Sequence, residues 1–254
     1  MSSVEEKLAR SLTAESVELI QFLPYLLQDL WDLGSSPQDM LDLVRQHVSW
    51  TGQLEVLDLA CGKGAVSIVL ARELGCRIKG IDILPDFIDY ARHKAVESGV
   101  AGQCLFEVGD INQSVEEERA YDLVIFGAVG DVLGDPAELL PKLKRTIKDN
   151  GYILLDDGYG QKGSAIDHFT RGEWLAIFDQ AGVRLIAEKL FAPDDMKEQN
   201  RRQQASIAIR AQELKAKNPG KSDLFDGYIK SQLAECDQLE NGITGVTLLL
   251  QSIC

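Results

Sequence analysis

Three short stretches hold the residues best suited to chemistry: Asp58-Leu59-Ala60-Cys61-Gly62-Lys63-Gly64, Gly80-Ile81-Asp82-Ile83 and Gly109-Asp110-Ile111. Gly62 and Gly64 let a backbone approach a ligand where a Cβ would collide. An acid in the position of Asp82, at the end of a strand, can take both hydroxyls of a ribose. Asp58 argues against a pyrophosphate at this turn, because such a group is held by helix amides with no carboxylate close by. Three acids at three successive strand ends around a glycine turn fit a cationic adenosine derivative better.

That reading requires the three stretches to lie along one edge of a sheet, and the patterning supplies one. Apolar strands are predicted at 54–60, 76–83, 103–110, 121–129, 151–157 and 183–191. Between them fall helices at 64–74, from Pro85 to Gly99, from the Asp135-Pro136 cap to Asn150-Gly151, and from the Thr170–Glu173 capping box to Gly182. Strands alternating with helices of this length predict an α/β chain with a doubly wound, Rossmann-like, mostly parallel sheet. Ligands then bind at the carboxyl ends of its strands. The closing GVTLLLQSI has no helix after it and reads as an antiparallel edge strand.

Two regions depart from the rhythm. Residues 1–50 read as a helical cap, with an apolar stripe through Leu19, Phe22, Leu23, Leu26, Leu30 and Leu33, a break at Pro24, and a second helix opening at Ser36-Pro37. Residues 193–242 read as two charged helices joined by Asn218-Pro219-Gly220, serving as a lid or as a homodimer contact. The expected division is 1–50, a core of 51–192 with 243–254, and the insertion 193–242.

The chain has 254 residues and a net charge of -14, from 26 Lys+Arg against 40 Asp+Glu. Such acidity disfavours nucleic acid and anionic membranes as partners, since both are gripped by clustered cations. No apolar run reaches the roughly 20 residues of a membrane span, and the N-terminus lacks the pattern of a signal peptide. Five scattered cysteines without a CxxC pair suit a reducing, cytoplasmic setting.

VLDLACGKG followed by GIDI and GDI resembles the class I S-adenosylmethionine-dependent methyltransferases, in their small-molecule branch, over about residues 53–190 and the last strand. The resemblance implies a seven-stranded sheet with an antiparallel last strand, and S-adenosylmethionine as cofactor. By motif, Asp58, Ala60, Cys61, Gly62 and Gly64 would cradle its methionine part. Asp82 would bind the ribose, with Ile83 packed on the adenine. Asp110 would reach the adenine amino group, and Ile111 would donate a backbone bond to the ring. Phe126, Gly127 and Ala128 would line the sulfonium and methyl. Ala60 stands where the family pattern has its first glycine, Lys63 fills a variable position, and the insertion at 193–242 has no counterpart in the minimal fold.

The acceptor is less legible. The strand-four loop FGAVGD lacks the amine-gripping motif of adenine methylation, and no Pro-Cys dipeptide serves a cytosine route. A small-molecule acceptor remains, with Asp131, Asp157 and His168 as candidate catalytic groups. Against these stand blander roles: a helix cap for Asp131, a solvent-facing loop position for His168, and for the Asp156-Asp157 pair a strand alternation that turns only one inward. A divalent metal on Asp131 and Asp157 would lack the rest of its ligand set, so none is assigned. Arg201-Arg202 reads as a solvated helix face. Two alternatives stay open: a nucleotide-dependent oxidoreductase, opposed by the incomplete GxGxxG and by Asp58, and a binding module without turnover.

Overall fold

The computed structural model describes residues 4–160 and 168–253. Ten helices follow in order: α1 (Val4–Ser11), α2 (Leu23–Leu26), α3 (Pro37–His47), α4 (Ala65–Leu74), α5 (Pro85–Glu97), α6 (Ile111–Glu117), α7 (Pro136–Thr146), α8 (Arg171–Ala181), α9 (Pro193–Lys217) and α10 (Ser222–Asn241). The strands are β1 (Glu55–Leu59), β2 (Arg77–Asp82), β3 (Cys104–Val108), β4 (Tyr121–Phe126), β5 (Ile147–Gly160), β6 (Val183–Leu190) and β7 (Ile243–Ser252). They form one seven-stranded sheet in the order β3-β2-β1-β4-β5-β7-β6.

The chain divides into two compact units, one of Met1–Leu30, Gly160–His168 and Phe191–Thr244, the other of Trp31–Tyr159, Phe169–Leu190 and Gly245–Cys254. The second is the sheet with its covering helices. β1 pairs in parallel with β2 and β4, β2 with β3, and β4 with β5. Successive side chains on each strand serve opposite faces. Val56, Ile125 and Leu154 join the core under α3, α4 and α5, while Leu57, Val124 and Leu155 join the core under α6, α7 and α8. Burial on both faces is why these strands read as continuous apolar runs. The predicted caps form as expected, with Ser36 accepting from the Asp39 amide at α3 and Thr170 and Glu173 closing a reciprocal box at α8.

The helical unit brings the two ends of the chain's irregular sequence together. α9 packs on α2 and on α10, and the rings of Phe22 and Phe225 meet edge to face at 5.1 Å. Arg210 donates to Asp29 at 2.5 Å and to Glu213 at 2.9 Å. Tyr25 donates to Glu213 at 2.6 Å and accepts from Lys217 at 3.1 Å. Arg201 and Arg202 pair with Glu198 on their own helix, a solvated face. Pro24 lies in the first turn of α2, which follows a 3-10 turn over Val17–Phe22.

Two expectations are corrected. β7 is antiparallel to β6, but it lies inside the sheet between β5 and β6 rather than at the edge. Its buried run Gly245–Leu250 is what an interior strand requires, whereas half-buried β6 is the edge. α7 also ends earlier, at Thr146. The Thr146 hydroxyl donates to the Leu143 carbonyl at 2.8 Å, and Ile147 already pairs with Tyr121. Asn150-Gly151 makes a bulge in β5 instead of a helix stop. Asn150 has a φ of 60°, and a Cβ at Gly151 would lie 2.9 Å from Ile147 Cβ.

The interior position of β7 predicts a measurable asymmetry. Leu249→Ala, fully buried in β7, should cost about 2–5 kcal/mol in urea unfolding. Leu105→Ala on edge strand β3, where the side chain is exposed, should cost less than about 0.5 kcal/mol.

Candidate active site

The sheet order reverses at β1, which is flanked by β2 and β4, and the carboxyl ends of these strands carry the cofactor candidates. After β1 the backbone turns sharply: Ala60, Gly62 and Gly64 have φ of 57°, 53° and 75°. The turn is pinned by the Cys61 amide donating to the Ile81 carbonyl at 3.0 Å and the Gly64 amide donating to the Cys61 carbonyl at 2.9 Å. A Cβ at Gly64 would sit 2.8 Å from the Phe106 ring and 3.0 Å from Ala91 Cβ, so glycine here serves packing as well as conformation. Ala60 holds a left-handed φ that costs about 1–2 kcal/mol for a residue with a Cβ. Lys63 is buried, its Nζ 4.9 Å from the centre of the Tyr90 ring and 5.6 Å from that of Phe87.

Each acid is held in a different way. Asp58 is 4% exposed and accepts from the Ser67 hydroxyl at 2.6 Å. Burial pushes its carboxyl up to about 7, Ser67 opposes the rise, and the charge of Asp82 adds to it. Asp82 accepts from the Gly62 amide and from the Leu84 amide, both at 2.9 Å. Burial raises its pKa and these amides counter it. Asp110 caps α6, accepting from the Asn112 amide and side chain, both at 2.9 Å. Ile83 is half-buried and Ile111 buried.

At the end of β4, Phe126 is buried in the core and Ala128 takes a φ of 54°. Sequence reasoning missed the segment that lies along these turns. Leu33 approaches Gly62, with its Cδ1 3.3 Å from where a Cβ would stand; Gly34 is set against Ala128; and a Cβ at Gly127 would overlap the Ser35 hydroxyl. The helical stripe expected to run on through Leu30 and Leu33 stops with α2 at Leu26, and the residues from there to Ser36 form turns in which Gly34 takes a φ of 105°.

Of the catalytic candidates, Asp131 is exposed in a 3-10 turn over Gly130–Leu133, and the cap of α7 is Asp135 instead. Asp157 is half-buried and accepts from the Gly158 amide at 2.7 Å. His168 is half-buried, its carbonyl against Gly160, and belongs to the helical unit. The more deeply buried acid of strand five is its neighbour Asp156, 8% exposed. Among the described residues no group of three His, Cys, Asp or Glu is arranged to hold a metal ion.

The raised Asp58 makes a stability prediction. An acid whose folded pKa lies above its ordinary 3.8 burdens the fold once ionised, so the penalty is absent below about pH 4 and grows as pH rises to about 7. Asp58→Asn, which keeps an acceptor for Ser67, should therefore be more stable than the parent by on the order of 4 kcal/mol at pH 7.5. The gap should close near pH 4 in denaturant titrations, and a pH-independent gap would contradict the assignment.

Known proteins resemble the chain in sequence and in fold. Residues 51–218 match a family described as a methyltransferase domain. The chain is 32% identical over 157 residues to a malonyl-[acyl-carrier protein] O-methyltransferase of Acetivibrio thermocellus, covering 61% of this chain and 49% of that protein. It is 26% identical over 190 residues to a ubiquinone biosynthesis O-methyltransferase of Leptothrix cholodnii, covering 72% and 80%. It thus spans about half the length of the first relative. In fold it is similar to an S-adenosylmethionine-dependent methyltransferase from Thiobacillus denitrificans, solved with S-adenosyl-L-homocysteine, with a TM-score of 0.74, 20% identity, and coverage of 91% and 98%. With the motif turn, the acids at three strand ends and this sheet order, the chain belongs to the methyltransferase-domain family and to the class I S-adenosylmethionine-dependent superfamily.

Proposed function

We propose that the chain binds S-adenosylmethionine and transfers its methyl group to a small-molecule acceptor. The observation that carries this reading is the arrangement around the β1 turn. Asp82 is a buried acid at the end of β2 held by the Gly62 and Leu84 amides, and Asp58 is a buried acid whose ionisation would be eased by a cation. An ammonium and a sulfonium suit such a site, while a pyrophosphate does not. This also weighs against the oxidoreductase alternative.

When bound, S-adenosylmethionine supplies a methyl carbon already activated by its sulfonium. The protein's share is alignment and exclusion of water. Gly62 and Gly64 give the backbone close approach, Asp82 takes the ribose hydroxyls, and Asp110 and Ile111 meet the adenine. Gly127 and Ala128 border the reacting methyl. The loops after β4 and β5 are the acceptor side in this proposal, with Asp131 and Asp157 as its polar candidates, while His168 is a candidate of the helical unit.

Support for a small acceptor comes from the relatives named for malonyl-acyl carrier protein and ubiquinone biosynthesis. It comes as well from the charge of -14, which repels polyanions. Among the described residues no helix is long and apolar enough to cross a membrane.

Calorimetry with S-adenosylhomocysteine tests the cofactor. Asp82→Ala should weaken binding by about 1.5–3 kcal/mol, the loss of a charged hydrogen bond, or about 10- to 150-fold. Unchanged affinity would remove the basis of the proposal. Transfer of tritiated methyl should appear with a panel of phenols, amines and carboxylates and be absent with tRNA and duplex DNA at low salt. Specific labelling of nucleic acid that survives moderate salt would overturn the small-molecule reading.

A further inference from the structure

A groove of about 630 Å³ lies against α7, lined by Glu138, Pro141, Lys142, Lys144 and Arg145 of that helix and by Ala181 at the end of α8. Three cations stand against one acid there, in a chain whose acids outnumber its cations 40 to 26. Arg145 pairs with Glu116 of α6 at 2.5 Å. Among the described residues neither Lys142 nor Lys144 has a carboxylate within ion-pair distance; both are held by backbone carbonyls. Lys142 donates to the Leu133 carbonyl, ahead of α7. Lys144 donates to the carbonyls of Gly182 at 2.8 Å, Ile253 at 3.2 Å and Ala181 at 3.4 Å.

These carbonyls give each ammonium a structural role, and at the C-terminus of α8 a cation suits the helix dipole. They orient the charge without cancelling it, since a carbonyl is a dipole and not an anion. Lys142 keeps two of its three N–H donors. The 3.4 Å bond from Lys144 to Ala181, on the groove wall, is long and yields to a stronger acceptor. Both side chains are already ordered, which lowers the entropy cost of a contact made there. Pro141 and Ala181 add apolar surface.

The two anchors lie toward opposite ends of the groove. Leu133 precedes the first turn of α7, whereas Ala181 and Gly182 close α8 beside the last turns of α7. At 1.5 Å per residue the ammonium groups stand on the order of 10 Å apart. One compact anion does not span that gap; two carboxylates seven positions apart on one helix face do. We propose that this groove docks an acidic amphipathic helix of a partner protein, with carboxylates two turns apart on Lys142 and Lys144 and an apolar residue between them on Pro141 and Ala181. Glu138 is the one like charge such a helix meets in the groove. Charges beyond about 8 Å are screened at physiological salt, so the groove attracts an acid locally while the net charge of -14 rejects it elsewhere. This surface is separate from methyl transfer and does not depend on that reading.

The test uses the full chain and a fluorescein-labelled, alanine-based helical peptide of about 18 residues, long enough to hold a helix. It carries two glutamates seven positions apart and a leucine midway. Fluorescence anisotropy in about 0.1 M salt should show saturable binding. That binding should weaken about tenfold when the glutamates become glutamines, and about tenfold again for the parent peptide on Lys142→Glu. Replacing one glutamate of the peptide by lysine should recover most of the loss on Lys142→Glu. The affinity for S-adenosylhomocysteine should be the same in parent and variant, which separates a lost contact from a lost fold; Lys142→Gln, measured in the same way, serves if Lys142→Glu folds poorly. Equal binding of the glutamate and glutamine peptides, or binding indifferent to Lys142, overturns the proposal. So does displacement of the peptide by millimolar inorganic phosphate, which would make the groove a small-anion site. Self-association of the chain that is lost in Lys142→Glu would assign the groove to a second copy instead.

Discussion

The carboxylate of Asp82 is the joint on which the site depends. It accepts from the Gly62 amide in the turn after β1 and from the Leu84 amide in the turn after β2. Its own carbonyl accepts from Gly109 at the end of β3 at 3.0 Å. One residue thus fixes three strand-end turns relative to each other. Hydrogen bonds to a charged acceptor contribute about 1.5–3 kcal/mol each, which offsets part of the cost of burying the acid at the sheet edge. A ligand bound there meets a turn whose shape is already set, so little ordering remains to oppose binding.

Several costly features of the sheet unit lie at the same edge. Asp58 is buried with a raised pKa, Ala60 and Ala128 are left-handed without being glycine, and Asp156 is buried with a raised pKa as well. Each is a local loss of stability that the surrounding core over-determines. The core can carry it because both sheet faces are packed, from Val56 to Leu154 on one side and from Leu57 to Leu155 on the other. Local strain of this kind is expected where function opposes stability. Exposed ion pairs such as Arg201–Glu198 and Arg72–Glu73 add little by comparison.

The helical unit follows a different economy. Its long helices bury few side chains, chiefly Ile207, Ala211 and Leu214 on α9 and Phe225 and Tyr228 on α10. Polar links at Tyr25 and Arg210 supplement that thin core. Hydrogen bonds and ion pairs gain little net stability when they stay wet, so apolar contacts such as that of Phe22 with buried Phe225 weigh more here.

Much of the fold was legible because its signals are local. Glycine turns, Ser36 and Thr170 caps and alternating apolar runs each act within a few residues, and together they identify the parallel sheet and the acids at its edge. Asn150-Gly151 shows the limit of such signals: it marks a turn, and only the pairing of Ile147 with Tyr121 makes that turn a bulge in a strand. Likewise Val246–Leu250 reads as an apolar strand, but its place between β5 and β6 depends on which strand edges were left to pair. The meeting of Ser35, Gly127, Asp156 and Thr247 was invisible in the sequence. Residues so far apart along the chain share no periodicity, and only the sheet brings them side by side. What the residues alone determined is the chemistry available at each strand end; what the tertiary structure decided is which of those groups face one another, because burial and register are properties of packed neighbours.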